Sequence, residues 1–266
     1  MDVKNLLDLK GKVAIVTGGV SGLGHQMAQG MAEMGANLVI ASRRENKCRK
    51  VCRKLESDYG IEAMAMKLDV LKEEDIISLV NNTIDHFGSI DIMMNNVGGA
   101  LISDTVNTTT KDWKHIFDLN VTSTFICCRE AGKHMIKRKY GKIINIASVY
   151  GLIGSDSRNY VDSGEPREAL SYAASKGAIV NLTRDLATTW ARYNITVNAI
   201  SPGAFETEAT QTMLSDYCRQ KIEYTIPLGR MGDYDDLKGA AVFLASDASK
   251  YLIGQNIVVD GGWSVW

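Results

Sequence analysis

Proline is scarce in this chain of 266 residues, occurring only at Pro166, Pro202 and Pro227. Helices and strands therefore run without the breaks that a ring-locked backbone imposes, and no proline-rich linker marks a domain boundary. A surplus of either charge is missing too: 30 basic against 31 acidic residues leave a net charge of −1. Nothing in that balance attracts nucleic acid or an anionic membrane surface. No run of about 18 apolar residues occurs, so no segment reads as a membrane span. The opening "MDVKNLLDLKGK" carries acids and no apolar segment of the kind that directs secretion. A cytoplasmic protein is the expectation.

Paired cysteine motifs are lacking as well. Cys48, Cys52, Cys127, Cys128 and Cys218 are odd in number and contain no C-x-x-C, which fits free thiols in a reducing compartment. Cys48 and Cys52 have the spacing of half a metal site, but no His or Cys follows at ligand distance, so no metal is expected. His25, His86, His115 and His134 are scattered.

What the chain does contain is alternation. Short β-branched or apolar runs at 12–17, 37–42, 63–70, 90–96, 141–148, 195–201 and 256–261 alternate with longer stretches of helical period. Most of the runs are too continuously apolar to have a wet face, which places them in a parallel sheet covered on both sides. The expected fold is α/β, a single-domain doubly wound parallel sheet with helices on both faces. Its cofactor-binding part would lie at about 8–150, and the substrate loop and C-terminal part at about 150–266. Leu23, Met27, Met31 and Met34 form one helical stripe, and Ile179, Leu182, Leu186 and Trp190 another, each expected to face the sheet. The longest non-periodic piece, 150–169, is rich in glycine, serine and charge, as functional loops often are.

Directly after the first run comes "TGGVSGLG", Thr17 to Gly24. Glycines there let the backbone approach a pyrophosphate, and the helix that follows offers unpaired N–H groups and positive dipole. The strict G-x-G-x-x-G fingerprint is absent, since the glycines stand at 18, 19, 22 and 24. At the end of the second run, where an acid would bind a ribose hydroxyl, stand Ser42, Arg43 and Arg44. Guanidinium favours a 2′-phosphate and a carboxylate would repel it, so NADP(H) is expected over NAD(H). The bland alternative is that both arginines simply begin a solvated helix. Asp69, closing the third run beside Val70, suits either the adenine amino group or a helix cap.

"SYAASK" sets Tyr172 one turn before Lys176. A free phenol titrates at about 10. A cation nearby stabilises the phenolate and makes the group a usable acid or base. Alone the pair is a weak signal, because Y-x-x-x-K is common on amphipathic helices.

Its company makes it specific. "TGGVSGLG", "NNVG" (95–98), Asn120 in "DLNV", Ser148 in "NIASVYG", "SYAASK" and "SPGAFET" (201–207) occur in the order seen in short-chain dehydrogenases/reductases, and the chain resembles that family over its whole length. The resemblance implies hydride transfer between nicotinamide C4 and a carbonyl or carbinol carbon. It implies that Tyr172 transfers the proton, Ser148 holds the substrate oxygen, Lys176 binds the nicotinamide ribose and lowers the tyrosine pKa, and Asn120 completes a proton relay. For the cofactor it implies Gly18, Ser21, Gly22, Leu23 and Gly24 at the phosphates, Ser42, Arg43, Arg44, Asp69, Val70, Asn96 and Gly98 along the adenosine half, and Tyr172, Lys176, Pro202, Gly203 and Thr207 along the nicotinamide half. Phe205 stands where an aliphatic residue is more usual, which would narrow the cleft.

Ser148 and Tyr172 are separated by a longer stretch than in typical members, adding about ten residues beside the reacting carbon at small entropic cost. That stretch holds Arg158, Asn159, Tyr160, Asp162 and Glu165, suited to hydroxyls or a carboxylate. Ser148, Tyr150, Arg158, Tyr160 and Phe205 are the candidate substrate contacts. "NIASVYGL", "TIPLGRMG" and "VVDGGWSVW" resemble the gluconate 5-dehydrogenase-like branch, which implies a sugar acid or polyol as substrate. The alternatives are a hydroxysteroid or other bulky-ketone reductase, with Tyr160, Phe205, Met213 and Trp263 lining an apolar pocket, then a 3-oxoacyl carrier protein reductase, and last a dinucleotide-sensing protein without chemistry. The family resemblance also implies a homotetramer, paired through 110–137 and 171–193 and through the C-terminal "WSVW".

Overall fold

A computed structural model describes residues 2–156 and 169–266. Arg158, Asn159, Tyr160, Asp162 and Glu165 lie outside the described residues, as does the side chain of Met213.

The elements run α1 (Val3–Leu7), β1 (Val13–Thr17), α2 (Gly22–Glu33), β2 (Asn37–Ser42), α3 (Glu45–Tyr59), β3 (Ala63–Lys67), α4 (Glu73–Phe87) and β4 (Ile92–Asn95). They continue through α5 (Thr110–Phe117), α6 (Ser123–Arg138), β5 (Gly141–Ile146), α7 (Leu170–Trp190), β6 (Ile195–Pro202), α8 (Glu208–Met213), α9 (Asp216–Thr225), α10 (Lys238–Ala245) and β7 (Asn256–Val259). All seven expected strands form, in one parallel sheet ordered β3-β2-β1-β4-β5-β6-β7. The chain reverses direction across the sheet between β1 and β4. Loops leaving the carboxyl ends of those strands splay apart there and open a crevice, which is where such sheets bind ligands.

Two-sided burial explains why the inner strands read so plainly. Ala14 and Val16 of β1 face a core with Met27 and Met31 of α2 and Leu244 of α10, while Ile15 faces the opposite core with Leu79, Val80 and Met135. The methionine stripe of α2 thus packs on the sheet as expected, and truncating either buried methionine to alanine would cost about 2–5 kcal/mol.

The stripe on α7 holds only in part: Ile179 is fully buried, while Leu182, Leu186 and Trp190 pack at the edge of the core. The buried residues of that helix are Ser171, Ser175, Lys176, Ile179, Val180, Thr183 and Ala187. The indole of Trp190 lies over Gly132 of α6, where an added Cβ would come within 2.7 Å of the ring. The helix is rotated because its polar residues have partners inside, as the site makes clear.

Candidate active site

The turn between β1 and α2 is the first wall. Gly18 (φ +71°) and Gly22 (φ +55°) hold left-handed conformations that a side chain would strain. A Cβ on Gly18 would also lie 2.8 Å from Nδ2 of Asn96. That amide donates to Thr17 O at 3.0 Å and Gly18 O at 3.4 Å. Thr17 Oγ1 in turn accepts from the backbone N–H groups of Asn96 and Val97 at 3.0 and 3.2 Å. Asn96, assigned by resemblance to the adenosine ribose, therefore has its side-chain amide engaged in tying the end of β4 to the glycine turn. Ser21 caps α2 with backbone only, and its Oγ accepts from Arg44 Nη2 at 3.1 Å.

The second wall is the carboxyl end of β2. Ser42 is turned inward, its hydroxyl accepting from Arg44 N at 3.1 Å and touching Cys48 Sγ at 3.1 Å. Arg43 and Arg44 remain exposed. They border a cleft of about 710 Å³ that also reaches Asp69, Val70, Asn96, Gly98 and His115. The cap reading of Asp69 does not hold, since the residue before α4 is Lys72 and no side chain caps that helix: Asp69 Oδ1 accepts from Leu71 N at 3.2 Å in the preceding turn, and the Asp69 N–H donates to Asp75 Oδ2 at 2.9 Å.

A cleft of about 870 Å³ adjoins it, bordered by Gly22, Leu23, Gly24 and Arg44 and by Ser148, Tyr172, Lys176, Pro202, Gly203 and Thr207, with Thr207 lying against Gly22. Ser148 follows β5 and opens a short turn, its Oγ accepting from Tyr150 N at 3.2 Å. At Gly151 an added Cβ would lie 2.8 Å from the Lys176 carbonyl carbon, so this turn rests directly on the backbone of α7. That close approach sets Ser148 and the Tyr172 phenol on the wall of the same cleft. Thr207 caps α8, its hydroxyl accepting from Thr210 N at 3.1 Å.

The electrostatics of the pair depart from the sequence expectation. Lys176 Nζ sits 5.5 Å from the centre of the Tyr172 ring and donates to Ile146 O at 2.7 Å. Burial pushes the phenol above its ordinary range, and the nearby Ser148 hydroxyl only partly opposes this. Burial also lowers the Lys176 ammonium to about 8. An ammonium that is itself desolvated, with a carbonyl as its hydrogen-bond partner, does not depress the tyrosine in the protein alone.

Asn120 lies on a π-helical turn, Asp118–Thr122, wedged between α5 and α6, a local irregularity frequent at functional sites. Its side chain is 1% exposed. Oδ1 accepts from Gly99 N at 2.9 Å, while Nδ2 donates to Gly99 O at 2.9 Å and to Ser175 Oγ at 2.8 Å. Ser175 Oγ donates onward to Tyr172 O at 2.7 Å. The sequence reading missed Ser175; its only signal was a serine on the same helix face as Tyr172, one turn on.

A third cavity, about 220 Å³, has Ser148, Tyr150, Tyr172, Leu214, Met231 and Trp263 among its lining. Phe205 is not in that wall. It is 4% exposed and lies against Gly232, where an added Cβ would meet the ring at 2.5 Å. The strand-like bridge between Phe205 and Gly232 turns the ring into the core, so its proposed place on the substrate is corrected.

A family model described as Enoyl-(Acyl carrier protein) reductase matches residues 18–264. The chain belongs to the short-chain dehydrogenase/reductase family. Among short-chain dehydrogenases/reductases it is 38% identical to a 2-dehydro-3-deoxy-D-gluconate 5-dehydrogenase of Dickeya dadantii, covering 98% of each chain. It is 36% identical to an NADP-dependent mannitol dehydrogenase of Hypocrea jecorina, over 98% of this chain and 95% of that one. A crystal structure of a gluconate 5-dehydrogenase from Burkholderia cenocepacia in complex with NADP and tartrate superposes with a TM-score of 0.91 at 33% identity, covering 100% of both chains. As a short-chain dehydrogenase/reductase, the protein is an oxidoreductase of CH–OH and C=O groups.

Proposed function

We propose that the protein is an NADP(H)-dependent oxidoreductase that interconverts a secondary alcohol and a ketone in a sugar acid or polyol. The observation that carries this reading is that Ser148, Tyr172 and Lys176 border one cleft together with the glycine turn and the cationic Arg44. The names of the mannitol and gluconate relatives, and the NADP in the Burkholderia structure, support it.

The residues present fit the dinucleotide. Gly18 and Gly22 leave the turn without side chains, the first N–H groups of α2 are unpaired donors for a pyrophosphate, and Arg43 and Arg44 supply cations for a 2′-phosphate. Leu23 and Gly24 continue the phosphate end, Val70, Asn96 and Gly98 line the adenosine half, and Pro202, Gly203 and Thr207 the nicotinamide half. Bound there, the nicotinamide would supply or accept hydride.

The chain's own residues handle the proton. Ser148 Oγ holds the substrate oxygen and stabilises charge as it develops. Tyr172 gives that oxygen a proton in reduction and removes it in oxidation; its raised pKa keeps the phenol protonated until the substrate oxygen needs it. Lys176, held by Ile146 O, brings positive charge beneath the ring and has N–H groups left for ribose hydroxyls. Asn120 keeps Gly99 and α7 in register.

A second reading has one observation behind it. Val149, Ala204, Leu214, Ile222, Met231 and Trp263 make the small cavity largely apolar, as a bulky ketone would require. Following NADPH oxidation with keto sugar acids, ketoses, steroids and acyl ketones separates the two. Tyr172→Phe should lower turnover at least about 100-fold while NADPH still binds. No carbonyl compound consuming NADPH, or full activity in Tyr172→Phe, would overturn the proposal. We further propose a homotetramer working in a reducing compartment, where the five buried, free cysteines stay reduced.

A further inference from the structure

The C-terminal turn is built more firmly than a chain end requires. Asp260, just past β7, accepts from Gly262 N at 2.9 Å through Oδ1 and from Ser264 N at 2.7 Å through Oδ2. Both carboxylate oxygens thus bracket Trp263. Gly261 (φ +66°) and Gly262 (φ +92°) are both left-handed. Side chains on them would come within 2.7 Å of Ile226 and 3.0 Å of Pro227, so the backbone lies flat on the segment leaving α9. Trp266 Nε1 donates to Thr225 O at 3.0 Å, and Leu228 N to Gly261 O at 3.1 Å. On its other side Asp260 presses on Gly203, where an added Cβ would meet the Asp260 Cβ at 2.7 Å. The turn is therefore fixed to the ends of β6, β7 and α9 at once.

What this framework presents is the Trp263 indole. It is 7% exposed, packs edge-on to Tyr150 with centroids 5.6 Å apart at 71°, and closes the 220 Å³ cavity that holds Ser148 and Tyr172. That volume is below the roughly 300–1,000 Å³ of ordinary small-molecule pockets. An aromatic wall on rigid supports sets a sharper size limit than a loop could.

We propose that Trp263 is a specificity-determining residue that limits the carbonyl substrate to compact ketones, and that Asp260 is the positioning residue that holds it. The inference rests on the oxidoreductase reading of the same site. Trp263 excludes a ring or long apolar chain next to the carbonyl, although the cavity's apolar lining would otherwise accept one.

The test compares kcat/KM for an open-chain keto sugar acid with that for a fused-ring ketone in wild type, Trp263→Ala, Trp263→Phe and Asp260→Asn. Dissociation constants for NADPH are measured in parallel by fluorescence titration. Trp263→Ala should shift the ratio toward the fused-ring ketone by at least about tenfold, with NADPH affinity unchanged within about twofold. Trp263→Phe should fall between. Asp260→Asn, which turns one acceptor into a donor facing an N–H, should shift the ratio the same way but less. An unchanged ratio in folded Trp263→Ala overturns the inference, as does an equal loss on both ketones. If Trp263→Ala does not fold, an unmoved ratio in both Trp263→Phe and Asp260→Asn overturns it. Failure of the wild type to oxidise NADPH with any carbonyl instead removes the oxidoreductase reading, and this inference with it.

Discussion

An ammonium removed from water by burial keeps its proton less firmly than one in solvent, and Lys176 is lowered to about 8 for that reason. In the proposed mechanism reduction needs both the Tyr172 proton and the Lys176 charge. Its kcat/KM for NADPH, which reports the free enzyme, should be flat below about pH 8 and fall above it as Lys176 loses its proton. Lys176→Arg carries a charge that does not titrate in this range, so the descending limb should move up or vanish; pH–rate profiles of the two proteins check this. In the same cleft Arg44 joins the Ser21 hydroxyl and borders both large cavities. Hydrogen bonds to charged groups contribute about 1.5–3 kcal/mol, so Arg44→Ala should weaken NADPH roughly 10–100-fold. NADH, lacking the 2′-phosphate, should change by less than about threefold. Titration of both coenzymes distinguishes a phosphate contact from a merely solvated arginine.

Elements meet at the site through buried side-chain hydrogen bonds. Asn120 projects from the π-turn to the Gly99 backbone and to Ser175, which passes the connection to the Tyr172 carbonyl. Ser175→Ala would leave an Asn120 N–H buried without an acceptor, at about 1–3 kcal/mol, lowering Tm by about 2–8 °C. If the clasp positions Tyr172, kcat should fall about tenfold while the dissociation constant of NADPH holds, and Ser175→Thr should recover most of it. The inner strands were legible because two-sided burial leaves little polar face in the sequence, whereas the edge strands β3 and β7 are only half-buried. The register of α7 was legible only in part. Its buried face carries Ser175, Lys176 and Thr183, which hydrophobic periodicity counts as outward, and only the partners at Asn120, Ile146 and Asn145 show why they point in. Phe205 was misread for the opposite reason: an aromatic next to a site motif resembles a pocket wall until Gly232 is seen to leave room for its ring.

At the scale of the molecule, none of the helices among the described residues is long and apolar enough to cross a membrane. Large apolar side chains nonetheless remain uncovered: Val265 is 81% exposed, Trp266 78% and Phe125 of α6 42%. The proposed tetramer would cover such apolar surface. Light scattering should give four times the 29.1 kDa chain mass, and a mass near one chain would refute the tetramer. The sequence by itself determined the order of strands and helices, the glycine turn, the basic end of β2 and the Ser148, Tyr172 and Lys176 set, because each is written in residue type and short-range spacing. Only the tertiary structure decided which polar atoms are already engaged, that burial rather than attraction governs the Tyr172–Lys176 pair, and that Trp263 from the far end of the chain closes the cavity beside Ser148. Those outcomes depend on which surfaces exclude water when distant segments pack, and no local pattern records that.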